Sequence, residues 1–226
     1  SESRGLGDVY KRQIRNFVHR QPAEPSIMTT KGKITLNVEP DLAEIRPVIL
    51  GAVVRNVDYT SIGVSADEFI KSLMDHQEKL HFALGRGRKR ASIGVHDLAK
   101  LAPPFTVKAV SGDTKFTPLA ATEPMSIKEI MAEHPKGVEY AHLLSEFDQY
   151  PIILDAENNV LSFPPIINGD HTTVTKETKD FFIDVTGWDI RACESSLMLI
   201  ALQLQEYGGI IETVEVTNCF GATNVY

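Results

Sequence analysis

Residues 164–171, Pro-Pro-Ile-Ile-Asn-Gly-Asp-His, set Asn168, Asp170 and His171 at the end of an apolar stretch. A few polar groups against an apolar wall are what an organic ligand needs for both affinity and orientation. The same stretch has the composition of a tight turn, since Asn168 and Gly169 both tolerate positive φ; Asp170 and His171 would then cap the next segment. His96 and Asp97 close a second apolar run, Ala-Ser-Ile-Gly-Val, and here the plain alternative is an aspartate that caps Leu-Ala-Lys-Leu. A third group is basic: Arg86, Arg88, Lys89 and Arg90 in Gly-Arg-Gly-Arg-Lys-Arg. Its glycines would let the backbone approach a phosphate closely, whereas cations at a helix C-terminus are favoured by the dipole without any ligand.

Other chemistries lack their residues. No Gly-x-Ser-x-Gly occurs, and Cys193 sits in a helical stretch, so no serine or cysteine nucleophile is indicated. His76 and His81 lie on a helix and read as packing or surface residues; the histidines have no metal-motif spacing, and no metal is expected. No Gly-x-Gly-x-x-Gly follows a strand, and the basic run has no Walker Lys-Ser/Thr ending, which argues against an oxidoreductase or a nucleotide enzyme.

The elements that would position these groups follow from periodicity. Ser65 with Glu68 three residues later is a capping box, and Phe69, Leu73, His76, Leu80 and Leu84 keep helical spacing after it. Ser126 and Glu129 repeat the motif before a short helix closed by Pro135 and Gly137, with a second short helix expected over residues 139–147. Residues 46–60 form a Val/Ile-rich buried strand with Gly51 at a bulge or close approach. Strands are also expected at residues 32–40, 91–97, 105–110 (with 113–119 as a hairpin partner), 150–154 with 160–163 as a hairpin, 180–187, and 210–218 as one alternating strand. Residues 190–209 read as a helix stopped by paired glycines. Without a regular βαβ repeat the class is α/β with an α+β tendency, a mixed β-sheet with flanking helices.

The chain has 226 residues, a formal charge of -7 and a pI near 5.5, so any nucleic-acid contact must be local. Two cysteines far apart, no apolar run near the roughly 18 residues that span a bilayer, and no signal-peptide pattern lead to an expected cytoplasmic protein with no membrane contact. Residues 1–13 are expected to be non-native, because 8–13 resembles a translated sequencing-library adapter; 14–30 would end a preceding domain with a linker (a helix over 14–21, then prolines), 31–217 would form the main domain, and 218–226 would begin a truncated following region. The chain is thus expected to be a fragment of a longer protein.

Five ordered blocks, residues 44–57, 78–98, 104–110, 150–175 and 181–189, together resemble the beta subunit of phenylalanyl-tRNA synthetase of the archaeal and eukaryotic type. The resemblance falls on its central editing domain and implies hydrolysis of tyrosine mis-attached to tRNA(Phe). It further implies an alpha subunit as partner, an alpha2beta2 tetramer in the intact enzyme, and no cofactor in this fragment, ATP and Mg serving only the intact synthetase. Aminoacylation by the fragment alone is not expected. The resemblance points to Asn168 and Ser162 as pocket residues, with Pro165 and Gly169 beside them, Asn168 reading the tyrosine hydroxyl. Ester cleavage would use a positioned water, helped by backbone amides near Gly94 or Gly169 and by His96 or His171. Arg86, Arg88, Lys89 and Arg90 would receive the acceptor end of the tRNA. The alternatives are a non-catalytic tRNA-binding or subunit-assembly module and a free-standing deacylase.

Overall fold

A computed structural model describes residues 29–226. The helix expected over residues 14–21, the prolines after it and residues 1–13 lie outside the described residues.

The strands are β1 (Thr29–Thr30), β2 (Thr35–Val38), β3 (Val48–Arg55), β4 (Ala91–Asp97), β5 (Phe105–Ser111), β6 (Lys115–Phe116), β7 (Met125–Ser126), β8 (Gln149–Leu154), β9 (Val160–Phe163), β10 (Ile167–Asn168), β11 (Phe181–Gly187), β12 (Ile210–Thr213), β13 (Glu215–Thr217) and β14 (Thr223–Val225). The helices are α1 (Ala66–Phe82), α2 (Ile127–Glu133), α3 (Pro135–Tyr140) and α4 (Ile190–Glu206). One sheet runs β1-β12-β3-β11-β4 and a second β10-β9-β8-β5-β2-β13-β14, with β6-β7 a separate ribbon. Both large sheets mix parallel and antiparallel pairs. The α+β class with mixed sheets and flanking helices is therefore the one expected.

Alternation along the five-stranded sheet divides two cores. Ile49 and Val53 of β3 and Phe182 of β11 enter the core shared with the seven-stranded sheet, while Leu50, Ala52, Val54, Phe181, Ile183 and Val185 enter the core under α1 and α4. Successive strand residues point to opposite faces, so an apolar run such as β3 must be covered on both sides. Phe182 and Phe105, with ring centroids 4.3 Å apart, tie the two sheets together. Gly51 marks a close approach and not a bulge: a Cβ there would lie 3.3 Å from the Phe182 ring, and the β3–β11 register runs unbroken.

The α1 capping box forms as expected, Ser65 Oγ accepting from Glu68 N–H while Glu68 caps Ser65 N–H in return. Phe69, Leu73 and Leu80 are buried from this helix, each burial stabilising by about 1.5–3 kcal/mol. The Ser126 capping box also forms.

Three local expectations are corrected. Pro135 opens α3, where its missing N–H is harmless at the first helical turn, so the second short helix ends near Tyr140 and does not start there. Residues 115–116 pair with β7, not with β5, whose antiparallel partner is β8. The single strand expected over 210–218 divides at Val214: β12 joins the five-stranded sheet and β13 the seven-stranded one. Strand pairing also crosses both proposed domain boundaries, since Thr29 and Thr30 pair with Ile211 and Glu212, and β14 pairs with β13.

Candidate functional site

Among the described residues β4 is an edge strand of its sheet, paired with β11 alone. Beside its open edge lies a pocket. Ile70, Met74, Gln77, Glu78 and His81 of α1 form one wall; Ser162 and residues 164–169 form the other; residues 92–95, Asp184 and Thr172 form the floor, and Arg88 reaches across one end.

Asn168 and Gly169 do not make the turn. Both are extended through this point, Gly169 having φ −72° and ψ 143°. The reversal falls earlier, at Pro164 and Pro165, closed by Ile166 N–H donating to Phe163 O at 2.8 Å. That shift puts Asn168 directly opposite Ser162 across the β9–β10 register, and Ser162 Oγ donates to Asn168 Oδ1 at 3.3 Å. The two pocket candidates are neighbours because they are cross-strand partners, not because they share one strand. Pro165 lines the same wall, and the Asn168 side-chain N–H groups have no hydrogen bond among the described residues.

Of the four catalytic candidates, three are held in bonds within the protein and the fourth lies outside the pocket. His96 is fully buried, with Nε2 2.7 Å from Asp184 Oδ2 and Nδ1 2.8 Å from Thr172 Oγ1. Thr172 Oγ1 donates its one proton to Gly169 O at 3.0 Å, so it must accept from His96 Nδ1–H. One further proton is shared between His96 Nε2 and Asp184, making a chain that runs from the floor to the rim. Gly94 makes this possible: a Cβ would lie 2.0 Å from Asp184 Oδ2 and 2.7 Å from His96 Nε2. Its amide belongs to the β4–β11 ladder, because Ile93 faces outward and hydrogen-bonded pairs alternate. The Gly169 amide donates to Leu161 O at 2.8 Å, which leaves no donor for an oxyanion there. His171 is exposed and does not line the pocket. Asp97 caps Ala99 N–H, the plain alternative for that residue.

The basic run divides. Arg88 is buried, donating through Nη1 to Ile166 O at 2.8 Å and Pro165 O at 3.1 Å and through Nη2 to Glu78 at 2.9 Å, with its guanidinium 4.3 Å over the Tyr140 ring. Fixing the two carbonyls of the turn makes it a clamp on the pocket wall, and it cannot serve as a surface phosphate contact. Arg90 is paired with Asp189. Arg86 and Lys89 are exposed and have no ion pair among the described residues.

Sequence reasoning missed the polar end of the pocket. Ile93 N–H donates to His81 Nε2 at 2.8 Å, which fixes the proton on Nδ1, 3.5 Å from Glu78 Oε1. At that distance the two are neighbours without a good hydrogen bond. Burial pushes the His81 pKa down, and His81 with Arg88 holds the Glu78 carboxyl down to about 2. The i,i+3 spacing of Glu78 and His81 on α1 was a usable signal. So was Asp184, the one charged residue in the run Phe-Phe-Ile-Asp-Val-Thr-Gly. Arg46 gave none: it lies buried beneath the floor, bonded to Thr186, Ser92 and Arg88 O, its pKa lowered to about 10 by burial.

Fold and site together define an α+β domain whose sheet edge opens on a half-open, mainly apolar pocket with a few fixed polar groups. The chain belongs to the B3/4 domain family, which it matches over residues 47–203. It is 48% identical over 205 residues to the phenylalanine–tRNA ligase beta subunit of Methanosarcina acetivorans and 43% identical over 205 residues to that of Archaeoglobus fulgidus, in each case over 91% of this chain and 36% of the relative. The chain thus spans about a third of the length of these relatives. The crystal structure of an N-terminal fragment of the phenylalanyl-tRNA synthetase beta subunit from Pyrococcus horikoshii superposes with a TM-score of 0.79 at 37% identity, covering 83% of this chain and 53% of that one. The resemblance drawn from the five sequence blocks is the one these comparisons return.

Proposed function

We propose that this chain is the editing domain of a phenylalanine–tRNA ligase beta subunit and hydrolyses tyrosine from mischarged tRNA(Phe). A synthetic site shaped for phenylalanine rejects an added hydroxyl only by about a hundredfold, so a second site that prefers the hydroxyl is needed. The observation that carries the proposal is the Ser162–Asn168 cross-strand pair on the wall of an apolar pocket, with the Asn168 amide unpaired. A phenol satisfies that amide; a phenylalanine ring leaves it desolvated and unpaired, at a cost of about 1–3 kcal/mol.

Water is the nucleophile in this mechanism. Pocket hydroxyls are engaged, Ser92 with Arg46 and Thr186, Ser162 with Asn168, and Thr172 with Gly169 and His96. Glu78, its carboxyl held down by His81 and Arg88, stands ionised at the polar end of the pocket and serves to orient the water. Exposed Arg86 and Lys89 receive the acceptor-end phosphates. The intact beta subunit pairs with an alpha subunit, as an alpha2beta2 tetramer in the cytoplasm, and ATP and Mg serve aminoacylation in that assembly.

Commitment of the Gly94 and Gly169 amides favours one rival, a docking module that binds tRNA without cleaving it. Incubating the 226-residue chain with tyrosyl- and phenylalanyl-tRNA(Phe) separates the two: selective loss of tyrosine supports hydrolysis, and tRNA binding without deacylation supports docking. Asn168→Ala is expected to slow tyrosine release about tenfold or more, while full-rate clearance by this variant removes Asn168 from the role.

A further inference from the structure

The outer edge of β4 is occupied at Ile93 and open at Val95. Along β4, Trp188 N–H donates to Arg90 O and Leu98 N–H to Asp180 O, so residues 90, 92, 94, 96 and 98 turn their backbone groups toward β11. Ile93 and Val95 therefore face outward. At Ile93 both groups are taken, the N–H by His81 Nε2 at 2.8 Å and the C=O by Gln77 Nε2 at 2.7 Å. At Val95, two residues or about 7 Å further along, neither group has a partner among the described residues. Yet Val95 is only 5% exposed and lines the pocket. A buried, unpaired peptide group costs about 1–3 kcal/mol unless something fills it. Side chains of α1 satisfy the first position, and the pocket begins where they stop.

Resting on the hydrolytic reading above, we propose that Val95 is the docking point of the aminoacyl group itself. An aminoacyl residue carries its α-ammonium and its ester carbonyl in the relation of one strand residue. It can thus form the two bonds of an antiparallel hydrogen-bonded pair, α-ammonium to Val95 C=O and Val95 N–H to the carbonyl oxygen of the ester, a single-residue form of strand addition. This supplies the oxyanion donor that Gly94 and Gly169 cannot. Water adds to the carbonyl carbon while the oxygen held by Val95 takes the negative charge. Collapse breaks the bond to the ribose oxygen, which leaves as a hydroxyl with one proton of the water; the amino acid departs as a carboxylate, its other proton going to solvent.

The test replaces the Val95 peptide N–H by an ester oxygen, using the α-hydroxy analogue of valine so that the side chain is unchanged. Binding of non-hydrolysable 3′-tyrosylamino-3′-deoxyadenosine to the full chain is read by calorimetry, together with deacylation of tyrosyl-tRNA(Phe). Expected are about a tenfold loss of binding and a 10²- to 10³-fold loss of rate. A second measurement needs no variant: the same probe lacking the α-amine should bind the unaltered chain about tenfold more weakly. Binding within twofold in both comparisons, or no binding by the parent chain at millimolar probe, overturns the inference. Val95-dependent binding without any deacylation leaves the edge in place and refutes hydrolysis; parental deacylation by the ester variant does the reverse.

Discussion

Gly94→Ala tests the pocket floor most sharply. The added methyl would sit 2.0 Å from Asp184 Oδ2, 2.9 Å from Asp184 Cγ and 2.7 Å from His96 Nε2, where Cβ contacts are essentially never under 3.0 Å. The carboxylate must therefore retreat by about 1 Å, and since Asp184 and His96 are 1% and 0% exposed it cannot retreat into water. Moving it breaks the 2.7 Å bond to His96. Disrupting a buried pair costs about 3–5 kcal/mol, and overpacking alone costs about 1–3 kcal/mol. The two do not add, because displacement relieves the clash, so about 3–5 kcal/mol is expected. At roughly 2–4 °C per kcal/mol for a chain of this size, the melting temperature should fall by about 6–20 °C. Thermal and urea unfolding followed by circular dichroism measure this directly. In an Asp184→Ala background the same substitution meets less and should cost at least about 1 kcal/mol less, a coupling of the size contacting residues show. A Gly94→Ala protein within about 1 kcal/mol of the parent, or a cycle without coupling, would refute the account of the floor.

Acidification should destabilise the fold in two stages. The lowered His81 pKa means that the unfolded chain takes this proton first, so stability is full above about 6.5 and falls below it; the Glu78 contribution is present above about 4.5, is lost toward 2, and is small because Glu78 is half exposed. Urea midpoints against pH should show His81→Gln removing the upper stage and shrinking the lower one, because His81 also helps to hold the Glu78 carboxyl down. Removing Arg86 and Lys89 together should weaken tRNA binding and reduce its salt slope by about 1.4, two phosphates at about 0.7 each, with unfolding unchanged. Arg88→Ala should instead destabilise by about 1–3 kcal/mol, because it leaves the buried Pro165 and Ile166 carbonyls without a donor; equal melting temperatures for the two variants would contradict the division of the basic run. Cys193, its pKa raised to about 12 by burial, and buried Cys219 should react with a thiol reagent only on unfolding, and rapid labelling of the native chain would count against the α4 packing.

The sequence made the scaffold legible where pattern and cap agree, as at Ser65 and Ser126, and in strands whose apolar residues alternate or run unbroken. It misled where a tertiary partner outvoted a local preference. Asn168-Gly169 has the stronger turn chemistry, but the prolines at 164 and 165 reverse the chain first, which is what brings Asn168 opposite Ser162. Nothing local separates Arg88 from Arg86 and Lys89; the distinction is made by carbonyls 77 and 78 residues away. Asp184, His96 and Thr172 come from segments so distant that only the β4–β11 register, with the turn after β10 packed beside it, joins them.

The place of β11 between β3 and β4 has a consequence for synthesis. In the five-stranded sheet β3 and β4 do not touch, and both wait for a strand that begins at Phe181. At about 5–20 residues per second, Val48–Arg55 leaves the ribosome several to some tens of seconds before its partner exists. During that interval Val-Ile-Leu-Gly-Ala-Val-Val is an unpaired, uncharged strand, the kind of segment that aggregates unless shielded. The demand this protein places on chaperones should accordingly be set by translation speed through residues 56–181, and slow codons there should lower its soluble yield.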